Sequence, residues 1–86
     1  MTNIETTVVS TISILRSKEF RRGFEERRLS QPPDYDGLTT SQCWLYERGR
    51  QLAAATPSNM TLKKGNQINP EAIAAYIDLQ NTGAIV

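Results

Sequence analysis

The chain contains no histidine and a single cysteine, Cys43, among its 86 residues. Without histidine it lacks the commonest zinc ligand, the usual general base and every Ser-His or Cys-His nucleophile pair. One cysteine excludes an intramolecular disulfide, so packing or self-association must hold the domain together. Cys43 sits in Gln42-Cys43-Trp44-Leu45, an apolar setting that predicts a buried, inert thiol. Long apolar runs are also missing. The charge-free stretch from Thr6 to Leu15 is only ten residues, rich in Thr and Ser, against the roughly 20 needed to span a bilayer. It has neither the basic start nor the cleavage site of a signal peptide, and a cytoplasmic protein with no membrane partner is expected. Asp34 and Asp36 lie two apart in a Pro/Gly loop with no third acidic ligand nearby, which predicts turn residues rather than a metal loop. There is no Gly-rich phosphate cradle. The expectation is a protein that is not an enzyme, with no catalytic residues, no metal, no cofactor and no small-molecule substrate.

The length fits one domain, residues 1–86, burying roughly 60–65% of its unfolded surface, so the core is small and the stability margin thin. Aromatic residues are 7% of the chain, two Phe, three Tyr and one Trp, and a core this small needs Phe20, Phe24, Trp44 and Tyr46 inside.

The most informative feature is a repeated phrase, Phe20-Arg21-Arg22-Gly23 and Tyr46-Glu47-Arg48-Gly49: aromatic, one residue, Arg, Gly. Each copy lies in a helix-like stretch, where Gly is worse than Ala by about 0.8–1.0 kcal/mol. Matched glycines therefore predict a bare backbone patch on each helix where the other comes close. Around them the fold class reads as all-α: three to four helices in a small bundle, the two glycine helices forming a hairpin, with an irregular or hairpin-like excursion near 60–68.

Along the chain, Ile4, Val8, Ile12 and Leu15 recur at helical spacing and Asn3 suits a cap. Six β-branched residues between Thr6 and Ile12 pull toward strand; helix is favoured. Ser17 suits an N-cap, and the first two segments can also be read as one helix bent there. Arg21–Glu25 and Arg22–Glu26 have the i,i+4 spacing of ion pairs. Pro32-Pro33 and Asp36-Gly37 make a loop. Thr39 with Gln42 fits a capping box opening a helix from Thr40 to about Ala55, with Leu45, Gly49, Leu52 and Ala53 on one face and Trp44 beside them. Asn69-Pro70-Glu71 opens the last helix as N-cap, N1 proline and first-turn acid. That helix packs Ile73, Tyr76, Ile77 and Leu79 and stops at Gly83, after which Ala84-Ile85-Val86 tucks against the core.

From Glu19 to Ala54 the chain resembles the ribosome modulation factor and its relatives: a helix with an aromatic-and-glycine phrase, a Pro-containing loop, then a helix running from Trp44 to Gly49. Arg50 stands where that family places a second aromatic. The remainder is similar to small prophage-encoded proteins with a Tyr-Glu-Arg-Gly-Arg stretch and an Asn-Pro-x-Ala helix start. The resemblance implies a bacterial or phage regulator that contacts ribosomal RNA.

Charge is unevenly spread. The net value is +1, yet Arg16, Lys18, Arg21, Arg22, Arg27 and Arg28 face only Glu19, Glu25 and Glu26 over thirteen residues, a local net of +3. Arg48 and Arg50 extend this basic face if the glycine helices pack together. These eight cations are the candidate partner-binding residues. The competing reading is a solvated helix face with i,i+4 pairs, each worth less than about 1 kcal/mol. As function, this composition suits a small non-enzymatic regulator that binds a host protein, the ribosome or RNA; the alternatives are a sequence-tolerant nucleic-acid binder or a phage inhibitor of a host enzyme or defence complex. The interleaved glutamates oppose simple phosphate binding and suit a protein partner better. A thin core with an apolar C-terminus leaves a homodimer open.

Overall fold

A computed structural model describes residues 4–85, with side chains from residue 8 onward. The Asn3 cap, the Ile4 side chain and Val86 lie outside the described residues. In chain order the elements are α1 (Ile4–Arg16), α2 (Lys18–Arg28), α3 (Thr40–Ala55), β1 (Lys63–Lys64), β2 (Gln67–Ile68) and α4 (Pro70–Asn81). The fold is a small helical bundle whose only sheet, among the described residues, is a two-strand antiparallel ribbon pairing Lys63 with Ile68 and Lys64 with Gln67.

Helix wins at α1 despite its β-branched residues because burial outweighs propensity differences of a few tenths of a kcal/mol. Thr11 and Leu15 are buried there, and Ile12 and Ile14 pack against the core. α1 and α2 are two helices, not one bent helix. Ser17 turns the backbone extended (φ −63°, ψ 143°), and its hydroxyl donates to the Ile14 carbonyl at 2.9 Å while accepting from the Phe20 N–H at 3.2 Å. One side chain thus closes one helix and opens the next.

The other boundaries follow local chemistry. At the end of α2, Ser30 takes a left-handed conformation (φ 57°) so that its N–H reaches the Arg27 carbonyl and that of Gln31 the Glu26 carbonyl, the double bond of a Schellman motif. Thr39 and Gln42 form the expected capping box of α3, at 3.2 and 2.9 Å. Asn69 caps α4 by accepting from the Glu71 N–H. It is itself buried and donates to the Thr61 carbonyl at 2.8 Å, tying the β1–β2 ribbon to the start of α4. Past α4, Gly83 turns with φ 82° and Ile85 is buried in the core.

The hairpin of α2 and α3 is the closest packing in the molecule. A Cβ at Gly23 would lie 3.0 Å from the Tyr46 carbonyl carbon and closer still to its oxygen. A Cβ at Gly49 would lie 2.9 Å from the Phe20 carbonyl carbon and likewise meet its oxygen. The two contacts are reciprocal: each glycine receives the backbone of the aromatic that begins the other copy of the phrase. Pairing 20 with 49 and 23 with 46 also makes the helices antiparallel. An α-hydrogen facing a carbonyl at such a crossing is a recurring weak contact.

The core gathers Leu15, Phe20, Phe24, Leu52, Ala72, Tyr76 and Ile85, with Ile68 from the ribbon and Leu62 just before it. Phe20 meets the Tyr76 ring edge-on at 5.9 Å, joining the hairpin to α4. Two expectations are corrected here. Trp44 is 42% exposed rather than in the core, and Cys43 is half-buried rather than sealed. The glycine contact turns the Tyr46 carbonyl toward α2, so α3 buries Tyr46, Gly49, Leu52 and Ala53. Leu45 is left half-buried and Trp44 lies at the edge.

Gly23→Ala and Gly49→Ala test this packing. Alanine raises helix propensity by about 0.8–1.0 kcal/mol, yet each methyl meets backbone that cannot rotate away, at an overpacking cost of about 1–3 kcal/mol. Both variants are expected to melt below the parent in thermal scans; two variants melting above it would show that the helices do not meet at the glycines.

Candidate binding surface

The eight candidate cations divide into two groups. Four are committed to the fold. Arg22 pairs with Glu26 at 2.7 Å and reaches into the Pro-rich loop, donating to the Asp34 carbonyl at 3.2 Å and lying 3.3 Å from its carboxylate. Its hydrogen bond to Glu26 raises the guanidinium pKa further. Arg28 crosses from α2 to the segment after α3, donating to the Thr56 carbonyl and hydroxyl and to the Met60 carbonyl at 3.0–3.3 Å, with Phe24 beneath it at 4.7 Å. Burial pulls its pKa down. Arg50 donates to the Gln31 carbonyl at 2.9 Å.

Arg48 was expected to extend the basic face; instead it is 8% exposed, its guanidinium stacked 3.8 Å above the Trp44 ring. Such a desolvated cation–π contact is worth about 2 kcal/mol. Among the described residues its Nε and Nη1 have no hydrogen-bond partner, nor does the buried Tyr76 hydroxyl. Burial pushes the Tyr76 pKa up, and nearby Arg48 partly offsets this.

Tyr46 is the centre of the structural set. Fully buried, its hydroxyl donates to Glu26 Oε1 and accepts from the Asp34 N–H at 3.1 Å. Arg22 lies over its ring at 5.0 Å, and Tyr35 packs against it at 5.6 Å. Glu26 is held below the usual carboxylate range, first by the Tyr46 hydroxyl and then by Arg22, against the opposing effect of burial. Asp34 Oδ1 accepts from the Asp36 N–H at 3.1 Å, the turn role expected of that pair. No cluster of three metal-ligating side chains occurs among the described residues, and none of their helices is long and apolar enough to cross a membrane.

The second group, Arg16, Lys18, Arg21 and Arg27, is exposed and has no ion-pair partner among the described residues. Of the two i,i+4 pairs expected on α2, Arg22–Glu26 forms, whereas Arg21 and Glu25 stay apart. Lys18, Arg21, Glu25 and Arg28 follow one another along one side of α2 at i, i+3, i+7 and i+10, a single stripe.

Beside that stripe runs a groove of about 470 Å³. One wall is α2, through Arg21, Phe24, Glu25 and Arg28; the other is the irregular segment that leads into β1, through Ser58 and residues 60–63. Phe24 and Leu62, each under a tenth exposed, underlie it. Sequence reasoning singled out the cations of the first wall and missed the second, because the docking of residues 58–63 beside α2 depends on Arg28 reaching Thr56 and Met60 across about thirty positions of chain.

No family model, curated protein or solved structure matches the chain.

Tyr46→Phe should remove the main cause of the depressed Glu26 pKa and leave the Asp34 N–H without its acceptor. The expected loss is about 1–3 kcal/mol at pH 7. A depressed carboxylate contributes stability above its unfolded pKa, about 4.3, and that contribution fades as pH falls through the lower folded value. Urea denaturation should therefore show the gap between parent and variant narrowing as pH falls below about 4, down to the part that belongs to the Asp34 N–H; a gap that stays constant well below about pH 4 would show that Tyr46 does not act through ionised Glu26.

Proposed function

We propose that the protein acts by binding a macromolecular partner through the exposed cations of α2 and its start, as a small non-enzymatic regulator in a bacterial or phage cytoplasm. The observation that carries this reading is the division among the arginines. Arg22 and Arg28 are spent on internal hydrogen bonds, while Arg16, Lys18, Arg21 and Arg27 stand exposed without a counter-charge among the described residues. Unpaired cations concentrated along α2 and at the end of α1 steer acidic surfaces toward them and raise association rates.

A protein partner fits the unpaired Glu25 within the same stripe, which would repel a phosphate chain and lower the gain from counterion release. A ribosomal or other RNA partner is favoured by one feature, the exposed rings of Tyr35 and Trp44 on the same hairpin, 44% and 42% accessible, which offer stacking surfaces for bases.

The test is a variant with Arg16, Lys18, Arg21 and Arg27 all changed to Gln; none of these side chains hydrogen-bonds or pairs with another described residue. It should keep the parent's circular dichroism and melting temperature and lose the partners that the parent captures from bacterial lysate. Capture that survives nuclease treatment identifies a protein partner, and capture abolished by it an RNA. A folded variant that retains every partner would reduce the basic helix to a solvated face.

A further inference from the structure

The groove beside α2 gives the binding reading a specific occupant. We propose that it takes an extended acidic peptide segment of a partner protein, seating one apolar side chain over Phe24, Met60 and Leu62 while flanking carboxylates reach Arg21 and Lys63. The inference rests on the proposed binding function but assigns a site and a ligand chemistry that the exposed cations alone do not.

Three observations support it. First, charge is complementary at both walls: Arg21 on α2 and Lys63 on β1 are exposed, line the groove and have no acidic partner among the described residues. Second, the groove holds its shape without a ligand. Arg28 fastens the two walls through three hydrogen bonds to Thr56 and Met60, bridging α2 to the segment that follows α3. Third, the carbonyls of the second wall are already engaged. The carbonyls of Met60, Thr61 and Leu62 accept from Arg28, Asn69 Nδ2 and the Asn69 N–H, so strand addition through those carbonyls is closed. Recognition falls to side chains: two charges outside, an apolar floor between them.

Glu25 decides between an acidic peptide and a nucleic acid. It lines the groove without an ion-pair partner among the described residues. A phosphodiester chain places a negative charge at every nucleotide and would run past this carboxylate, whereas a peptide can set its acids to either side and present a backbone N–H to Glu25. A volume of about 470 Å³ fits a few side chains, within the range of ordinary small-ligand and peptide-anchor pockets.

The test uses a short fluorescein-labelled peptide of Asp, Glu and Ser with a central Leu-Phe pair. Its controls are the same peptide with acids replaced by Asn and Gln, the same peptide with Leu-Phe replaced by Ala-Ala, and a short oligouridine. Binding is read by anisotropy and by amide chemical shifts of the isotopically labelled full chain. The acidic peptide should bind with shifts clustered at Arg21, Glu25, Arg28 and residues 60–63, and each peptide control should bind about tenfold more weakly or worse. Arg21→Glu combined with Lys63→Glu, both at exposed positions that leave the fold intact, should also weaken it at least about tenfold. Shifts confined to Arg16, Lys18 and Arg27 would overturn the groove while leaving the basic-surface reading in place. Equal binding of the Ala-Ala control would overturn the apolar anchor, and no peptide binding, or oligouridine bound in the groove instead, would overturn the proposed occupant.

Discussion

Two carbonyl oxygens, those of Phe20 and Tyr46, occupy the space where side chains at Gly49 and Gly23 would be. Much of the structure depends on that reciprocal contact. It brings α2 and α3 together at backbone distance, fixes their register and rolls α3 so that Tyr46 faces inward. From there the Tyr46 hydroxyl bridges Glu26 and Asp34 and anchors the Pro-rich loop. Phe20, held on the other side of the same contact, meets Tyr76 and carries the packing into α4. A domain of this size has no disulfide and little apolar surface to spare. A dense hairpin supplies through close contact and oriented hydrogen bonds what a larger core would supply through area.

The same geometry sorts the arginines. Those whose side chains can reach a carbonyl or carboxylate of the loop or of the 56–60 segment are held there and act as braces; guanidinium suits this because its planar fork bonds two acceptors at once. Arg48, one turn from Trp44 on the same helix, lies over the indole and is withdrawn from water. What remains outside is a short row of cations on α2 beside a groove whose apolar floor is part of the core. The cations of the proposed binding surface thus lie beside the bracing arginines, so charge changes at Arg22 or Arg28 would confuse a loss of fold with a loss of any partner, whereas the side chains of Arg16, Lys18, Arg21 and Arg27 make no ion pair among the described residues.

Much of this was legible in the sequence where one residue type has one physical use. Paired glycines in helix-forming stretches imply a close approach, Asn-Pro-Glu implies a helix start, and Thr39 with Gln42 implies a capping box; all three appear as expected. Ser17 was readable as a cap but not as a full break, because that required its hydroxyl to serve both helices. Less legible were features set by rotation and distance. A shift of one position on α3 exchanges Leu45 for Tyr46 at the core, and apolar spacing does not resolve it without knowing where the glycine points. Burial of an arginine runs against every surface propensity, and only the Trp44 ring and the crowding of α4 explain it. The groove's second wall belongs to a segment whose local sequence reads as a turn, and its place beside α2 is a tertiary fact.

If the glycine contact is the constraint on which the rest depends, the last parts of the molecule to open should be the two helices that share it. Native-state hydrogen exchange, followed amide by amide, measures this directly. The slowest amides should lie between Phe20 and Glu26 and between Tyr46 and Leu52, exchanging only through global unfolding, while α1, the β1–β2 ribbon and the end of α4 open at lower cost. Slowest exchange in α1 or α4, with the amides around Gly23 and Gly49 exchanging through local opening, would contradict the account.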